Sequence, residues 1–129
     1  MKKLSYLFVT ICFLFNACSE SQTPNECVSF VETGVEAVAL IPTIDMIGAT
    51  FKVDFGISNG CGRFNKFVET INGNTRTIKV IARYEGCICT QDASIKSANY
   101  VFTTSTTGTY TLKFQKTDGT FFTETVVIN

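Results

Sequence analysis

Phe51-Lys52-Val53-Asp54-Phe55-Gly56-Ile57-Ser58 alternates apolar and polar or small residues without a break. Side chains on a β-strand point to opposite faces in turn. Phe51, Val53, Phe55 and Ile57 would therefore share one face, and Lys52, Asp54, Gly56 and Ser58 the other. The stretch reads as a half-buried strand, and Asn59-Gly60 is a turn pair that stops it.

The same period of two continues downstream. Residues 64–71 and 75–84 flank Asn72-Gly73-Asn74, a turn signal between two strands. In the second of these, Ile78, Val80, Ala82 and Tyr84 fall on one face, and Lys79 and Arg83 on the other. Tyr100 and Phe102 mark another short strand. Tyr110, Leu112 and Phe114 alternate with Thr111, Lys113 and Gln115, and Asp118-Gly119 then turns the chain into a last strand over 120–128. A two-residue turn at Asp118-Gly119 predicts Lys113 opposite Glu124, Thr111 opposite Val126 and Leu112 opposite Thr125. Upstream, Val28, Val31, Val35 and Val38 have helical spacing, but Gly34 and the β-branched residues favour a strand broken at Thr33-Gly34. About seven strands and no convincing helix predict an all-β fold, an antiparallel sandwich, because a small sheet must bury one face against another.

Two local patterns refine that class. The stretch 42–51 (Pro-Thr-Ile-Asp-Met-Ile-Gly-Ala-Thr-Phe) resembles the entry into the second strand of immunoglobulin-like domains. Gly108-Thr-Tyr-Thr-Leu112, after Phe102-Thr-Thr-Ser-Thr-Thr, is similar to the sixth-strand entry of that fold. The resemblance implies an immunoglobulin-like β-sandwich in which the Tyr110 hydroxyl ties back to the backbone at the sheet corner. Leu112 stands where antibody-type domains carry cysteine, and there is no tryptophan, so the antibody type itself is excluded.

The amino-terminal segment has a different character. Met1-Lys2-Lys3 is basic, residues 4–15 are mostly apolar, and Asn16-Ala17-Cys18 places a small residue before a cysteine. The apolar run is shorter than the roughly 20 residues of a membrane-spanning helix. Basic start, apolar middle and small exit fit a secretory signal. The ending resembles the lipobox of bacterial lipoproteins. That resemblance implies cleavage before Cys18, acyl chains such as palmitate on Cys18, and a membrane-anchored place in the bacterial cell envelope, at the outer membrane. Residues 1–17 are then a signal peptide, 18–26 the lipidated cysteine with a flexible polar tether containing Pro24, and 27–129 the sandwich domain. Loss of Lys2 and Lys3 turns a formally neutral chain into one of about −2. No basic patch is visible in the sequence that would neutralise a run of phosphates, so nucleic acid is not an expected partner.

Four cysteines remain beyond the anchor: Cys27, Cys61, Cys87 and Cys89. In an exported protein an even number favours disulfides, and four allow three connectivities. On a strand Cys87 and Cys89 would share a face with Cα atoms about 6.5–7 Å apart, awkward for a mutual bridge. The expectation is that each reaches one of Cys27 and Cys61, in an order left open. Were Gly86 to set them in a turn, Cys87–Cys89 with Cys27–Cys61 would be the alternative. A four-thiolate zinc site lacks the usual ligand spacers, and a redox role for Cys87-Ile88-Cys89 requires an exposed thiolate.

Catalytic constellations are sparse. The chain has no histidine, which removes histidine-dependent triads and histidine-bound metals. Ser94 and Lys96 have dyad spacing but fall in what reads as a polar connector, 90–98. Asp54, Glu69, Glu85 and Asp92 are scattered, with no pairing that spacing implies. Phe121-Phe122 and Phe64-Asn65-Lys66-Phe67 each predict one outward aromatic in a regular strand. The loops at 59–63 and 85–97 are the candidates for specificity. The function expected is therefore a non-enzymatic, cofactor-free and metal-free interaction module that contacts another envelope protein. The alternative is a carbohydrate-binding surface lipoprotein, and a weaker one is redox or metal handling by Cys87 and Cys89. A row of exposed aromatics beside polar side chains would favour sugar; an apolar patch or an unpaired edge would favour protein.

Overall fold

A computed structural model describes residues 27–42 and 48–129. Cys18, the signal and tether, and 43–47 within the immunoglobulin-like pattern at 42–51 lie outside the described residues. Eight strands follow one another: β1 (Val28–Thr33), β2 (Val35–Ile41), β3 (Gly48–Ile57), β4 (Gly62–Asn72), β5 (Thr75–Glu85), β6 (Ser94–Thr103), β7 (Gly108–Gln115) and β8 (Phe121–Ile128). They form a three-stranded sheet, β2-β3-β6, and a five-stranded sheet in which β4 and β5 pair and β7 and β8 pair. β1 and β7 share the remaining edge of β5: β1 pairs with its second half, Val80–Glu85, and β7 with its first, Thr75–Ile78.

The core is the space between the sheets. Phe51, Val53 and Phe55 of β3, Ile78, Val80 and Ala82 of β5, Tyr100 and Phe102 of β6, and Leu112 and Phe114 of β7 are all almost fully buried. Rings meet across the layers, Phe51 on Phe114 at 5.7 Å and Tyr100 edge-on to Phe114 at 5.4 Å between centroids. The alternation of Phe51–Ile57 is thus realised as one buried and one outer face.

Val28–Leu40 breaks where the sequence placed the break. At Gly34 the chain leaves the five-stranded sheet and enters the three-stranded one, which makes two strands of this segment and raises the count to eight. Gly34 is required by close approach, since a Cβ there would collide with Thr117 Oγ1 and the Thr117 backbone nitrogen. Asn72 pairs with Thr75, leaving Gly73-Asn74 as a two-residue turn with Gly73 at φ +59°.

Four local expectations are corrected. The sandwich is not wholly antiparallel, because β5 and β7 run parallel. β7 returns from the other sheet by a crossover, the kind of connection parallel strands require. The β7–β8 register is shifted by one: Leu112 faces Glu124, Lys113 faces Thr123 and Thr111 faces Thr125. Three residues, Thr117-Asp118-Gly119, form the loop, with Gly119 at φ +81° and Lys116 and Thr120 joined by a backbone hydrogen bond of 2.8 Å. This is the three-residue hairpin with a left-handed glycine, which Asp-Gly serves as well as the two-residue one. Phe64 and Phe67 both face inward, opposite Ala82 and Val80, because a bulge between Phe64 and Lys66 absorbs the odd residue. Finally, β6 begins at Ser94, so the polar connector ends at Ala93.

Candidate functional site

The four domain cysteines gather at one end of the sandwich. Cys27 is bonded to Cys87 (Cα–Cα 4.9 Å) and Cys61 to Cys89 (Cα–Cα 5.5 Å). Cys87 and Cys89 do reach Cys27 and Cys61, one each, although they lie in the loop after β5 and not on a strand. The loops at 59–63 and 85–93 are laced together here. Gly60 N–H donates to the Thr90 carbonyl at 3.0 Å, Gly86 N–H to the Cys27 carbonyl at 2.8 Å, and Cys61 N–H to Asn59 Oδ1 at 3.0 Å. The Tyr84 hydroxyl accepts from the Ser58 N–H at 2.9 Å and lies 3.2 Å from Ser58 Oγ. Gly86, at φ +136°, packs so closely that a Cβ would stand 2.9 Å from Cys61 Sγ.

Between the two bridges Ile88 is pushed outward and is 95% exposed, the most exposed large apolar residue among those described. An aliphatic side chain in water is unremarkable by itself. One whose backbone is fixed by disulfides on both sides is presented with little conformational freedom left to lose. Beside it, Cys27, Val28, Ser58, Asn59, Tyr84 and Cys89 line an open groove of about 350 Å³.

The residues considered for catalysis do not converge. Ser94 and Lys96 sit at the start of β6 opposite Ile57 and Phe55. Asp54 meets Ser97 at 2.5 Å and Lys52 at 3.2 Å, which together hold its carboxyl below the ordinary value. Glu69 pairs with Arg76 at 3.0 Å, and Glu85 with Arg63 and Arg83. Asp92 lies in the connector before β6. Among the described residues no group of three or more Cys, Asp or Glu could hold a metal ion. Of the adjacent aromatics, Phe122 turns inward under the Lys116 ammonium (4.3 Å to the ring) while Phe121 stays 39% exposed. Sequence reasoning did not single out Phe30, which is 60% exposed on the outer face of β1, opposite Arg83. Its neighbours Val28 and Val31 read as core pattern, and only the pairing of β1 with β5 places it outside.

No curated protein and no solved structure matches the chain. Residues 51–128, more than half of it, match the model of a family described as the ORF11 beta-sandwich domain, and the chain belongs to that family. The match runs from Phe51 in β3 to Ile128, so it includes Cys61, Cys87 and Cys89 and leaves out β1, β2 and Cys27.

Proposed function

We propose that this member of the ORF11 beta-sandwich family is a non-enzymatic lipoprotein module. Cys18 holds it at a membrane of the bacterial cell envelope, and its disulfide-clamped end contacts another envelope protein. Ile88 carries this reading: a fully exposed aliphatic residue, fixed on both sides by bridges, is suited to fill an apolar pocket of a partner. The open groove beside it offers both polar and apolar lining for a partner's rim. The basic, apolar and Ala-Cys order of residues 1–18 supports the anchor. Several acyl chains on one cysteine would hold it firmly, since each buried CH2 contributes about 0.8 kcal/mol. The bond from the Tyr110 hydroxyl to Thr106 supports reading the sandwich as immunoglobulin-like.

Two experiments test the proposal. Metabolic labelling with a palmitate analogue should mark the wild type and not Cys18→Ala. A photo-crosslinking residue at position 88 in intact cells should give one discrete protein adduct, absent when the crosslinker sits at Thr70 on the sheet. Labelling of Cys18→Ala, or equal adducts from both positions, would overturn the corresponding half.

A further inference from the structure

We propose that the outer face of the five-stranded sheet binds an acidic polysaccharide, a site separate from the Ile88 contact. Charge first marks this face. Alternation with the buried Ile78, Val80, Ala82, Leu112 and Phe114 places Lys79, Arg83 and Lys113 outward, and register adds Arg63 and Lys66. Five of the nine lysines and arginines beyond Cys18 thus lie on one face, against Glu32 and Glu85 of eleven acids. Those two carboxylates are already shared among Lys79, Arg63 and Arg83. Lys66 and Lys113 have no ion pair among the described residues. The face is therefore positive on a domain that is neutral as a whole, with nine lysines and arginines against nine acids over 27–129, the condition for attracting a polyanion.

Its chemistry then selects the kind of polyanion. Phe30 and Phe121, 60% and 39% exposed, stand on this face at the two ends of a polar line. Glu32 follows Phe30 two residues on along β1. Gln115 Nε2 donates to Glu32 Oε1 at 2.9 Å, and Lys79 Nζ to Glu32 Oε2 at 3.0 Å. Phe121 is the cross-strand partner of Gln115, with Lys113 Nζ 5.8 Å from its ring. Strand rise and spacing set the rings roughly 15 Å apart, room for a short run of sugar units between two stacking platforms. Below them Thr75, Thr111 and Thr125 are paired in one row, and Thr77 and Thr123 flank Lys113 in the next. Hydroxyl, carboxamide and carboxylate groups in such rows match the donor and acceptor pattern of sugar hydroxyls, and the free ammonium groups match carboxylates on the sugars. An anionic bilayer has no use for the hydroxyl rows or for the two separated rings.

The test is native gel electrophoresis of the full chain in mild detergent, through gels containing polygalacturonate or neutral dextran, with sedimentation on phosphatidylglycerol vesicles in parallel. Polygalacturonate should retard the protein and dextran should not. The Phe30→Ala/Phe121→Ala double variant should weaken retardation about tenfold, the loss of two ring contacts. Lys113→Gln should weaken it and flatten its dependence on salt, while Ile88→Ser should leave it unchanged. Thermal midpoints equal to wild type show that these surface variants are folded. No retardation by polygalacturonate, retardation untouched by removal of both rings, binding to vesicles instead, or loss in Ile88→Ser would each overturn the proposal. Only the last of these bears on the clamped end, so the two readings fail separately.

Discussion

The Tyr110 hydroxyl donates to the carbonyl of Thr106 at 2.9 Å and lies 3.2 Å from Thr104 Oγ1. Both partners belong to the segment that carries the chain from β6 in one sheet to β7 in the other. The Tyr110 ring packs on Phe102 at 5.1 Å, so one side chain joins the end of β6, the crossover and the start of β7. Tyr110→Phe keeps the ring and removes the tie. It should cost about 1 kcal/mol, the ordinary net worth of a partly buried hydrogen bond. Urea unfolding checks this; an unchanged midpoint would mean that the ring alone holds the corner.

Gly34 answers to a steric demand where β1 passes into β2. A methyl group there meets Thr117 backbone as well as its hydroxyl, and backbone cannot rotate away. The Gly34 carbonyl also accepts from Gly56 N–H at 3.4 Å, and Thr33 Oγ1 donates to the Gly56 carbonyl. Gly34→Ala should therefore destabilise by about 1–3 kcal/mol, the range for forced overpacking. Gly73→Ala provides the contrast, since space around it is open and only its φ of +59° is strained. Thermal unfolding of the pair should rank Gly34→Ala lower.

What could be read in advance was what short-range chemistry decides. Alternation from Phe51 to Ile57, the turn at Gly73 and the break at Gly34 are each settled within a few residues. The bulge beside Asn65 was hidden, because an extra residue in a strand changes which face Phe67 takes without changing composition. Asp118-Gly119 served two loop lengths equally, so the register of β8 depended on how β7 and β8 pack. The parallel pairing of β5 with β7 joins Thr75 to Thr111, a choice no local pattern encodes. The sites follow the same division. The four cysteines announced disulfides, whereas the exposure of Ile88 follows only from both bridges together. The polar line between Phe30 and Phe121 needs Glu32 to meet Gln115, 83 residues away.

The two bridges should not be equivalent. Cys27–Cys87 spans 60 residues and ties β1 to the clamped loop; Cys61–Cys89 spans 28. In the chain-entropy model, removing them costs about 4 and about 3.5 kcal/mol respectively. Cys27→Ser/Cys87→Ser and Cys61→Ser/Cys89→Ser should each lower the urea midpoint by amounts of that order, the first by more. Either loss should also cut crosslinking from position 88, because Ile88 is then held from one side only. Full crosslinking from a half-clamped loop would show that presentation of Ile88 does not need the second bridge.

Tyr100 is buried on β6, and its hydroxyl lies against the Glu69–Arg76 ion pair without a well-formed hydrogen bond. Its ring lies edge-on to Phe67 at 5.3 Å and to Phe114 at 5.4 Å, so packing, not the hydroxyl, fixes it. Burial pushes its pKa well above the ordinary 10.0, and the Glu69 charge adds to the effect. An unfolded chain ionises this tyrosine near its ordinary value while the folded one keeps the proton. Above about pH 10 the folded state therefore binds more protons than the unfolded, and stability falls as pH rises; below that pH the contribution is present in full. Tyr100→Phe should remove this part of the alkaline slope. At neutral pH it should leave stability unchanged or raise it by up to about 1 kcal/mol, because a buried hydroxyl without a well-formed hydrogen bond disappears. Urea midpoints of wild type and variant from pH 7 to pH 11 decide the matter. Parallel curves would mean that folding does not raise the Tyr100 pKa, and a variant markedly weaker at pH 7 would mean that the hydroxyl makes a stabilising bond.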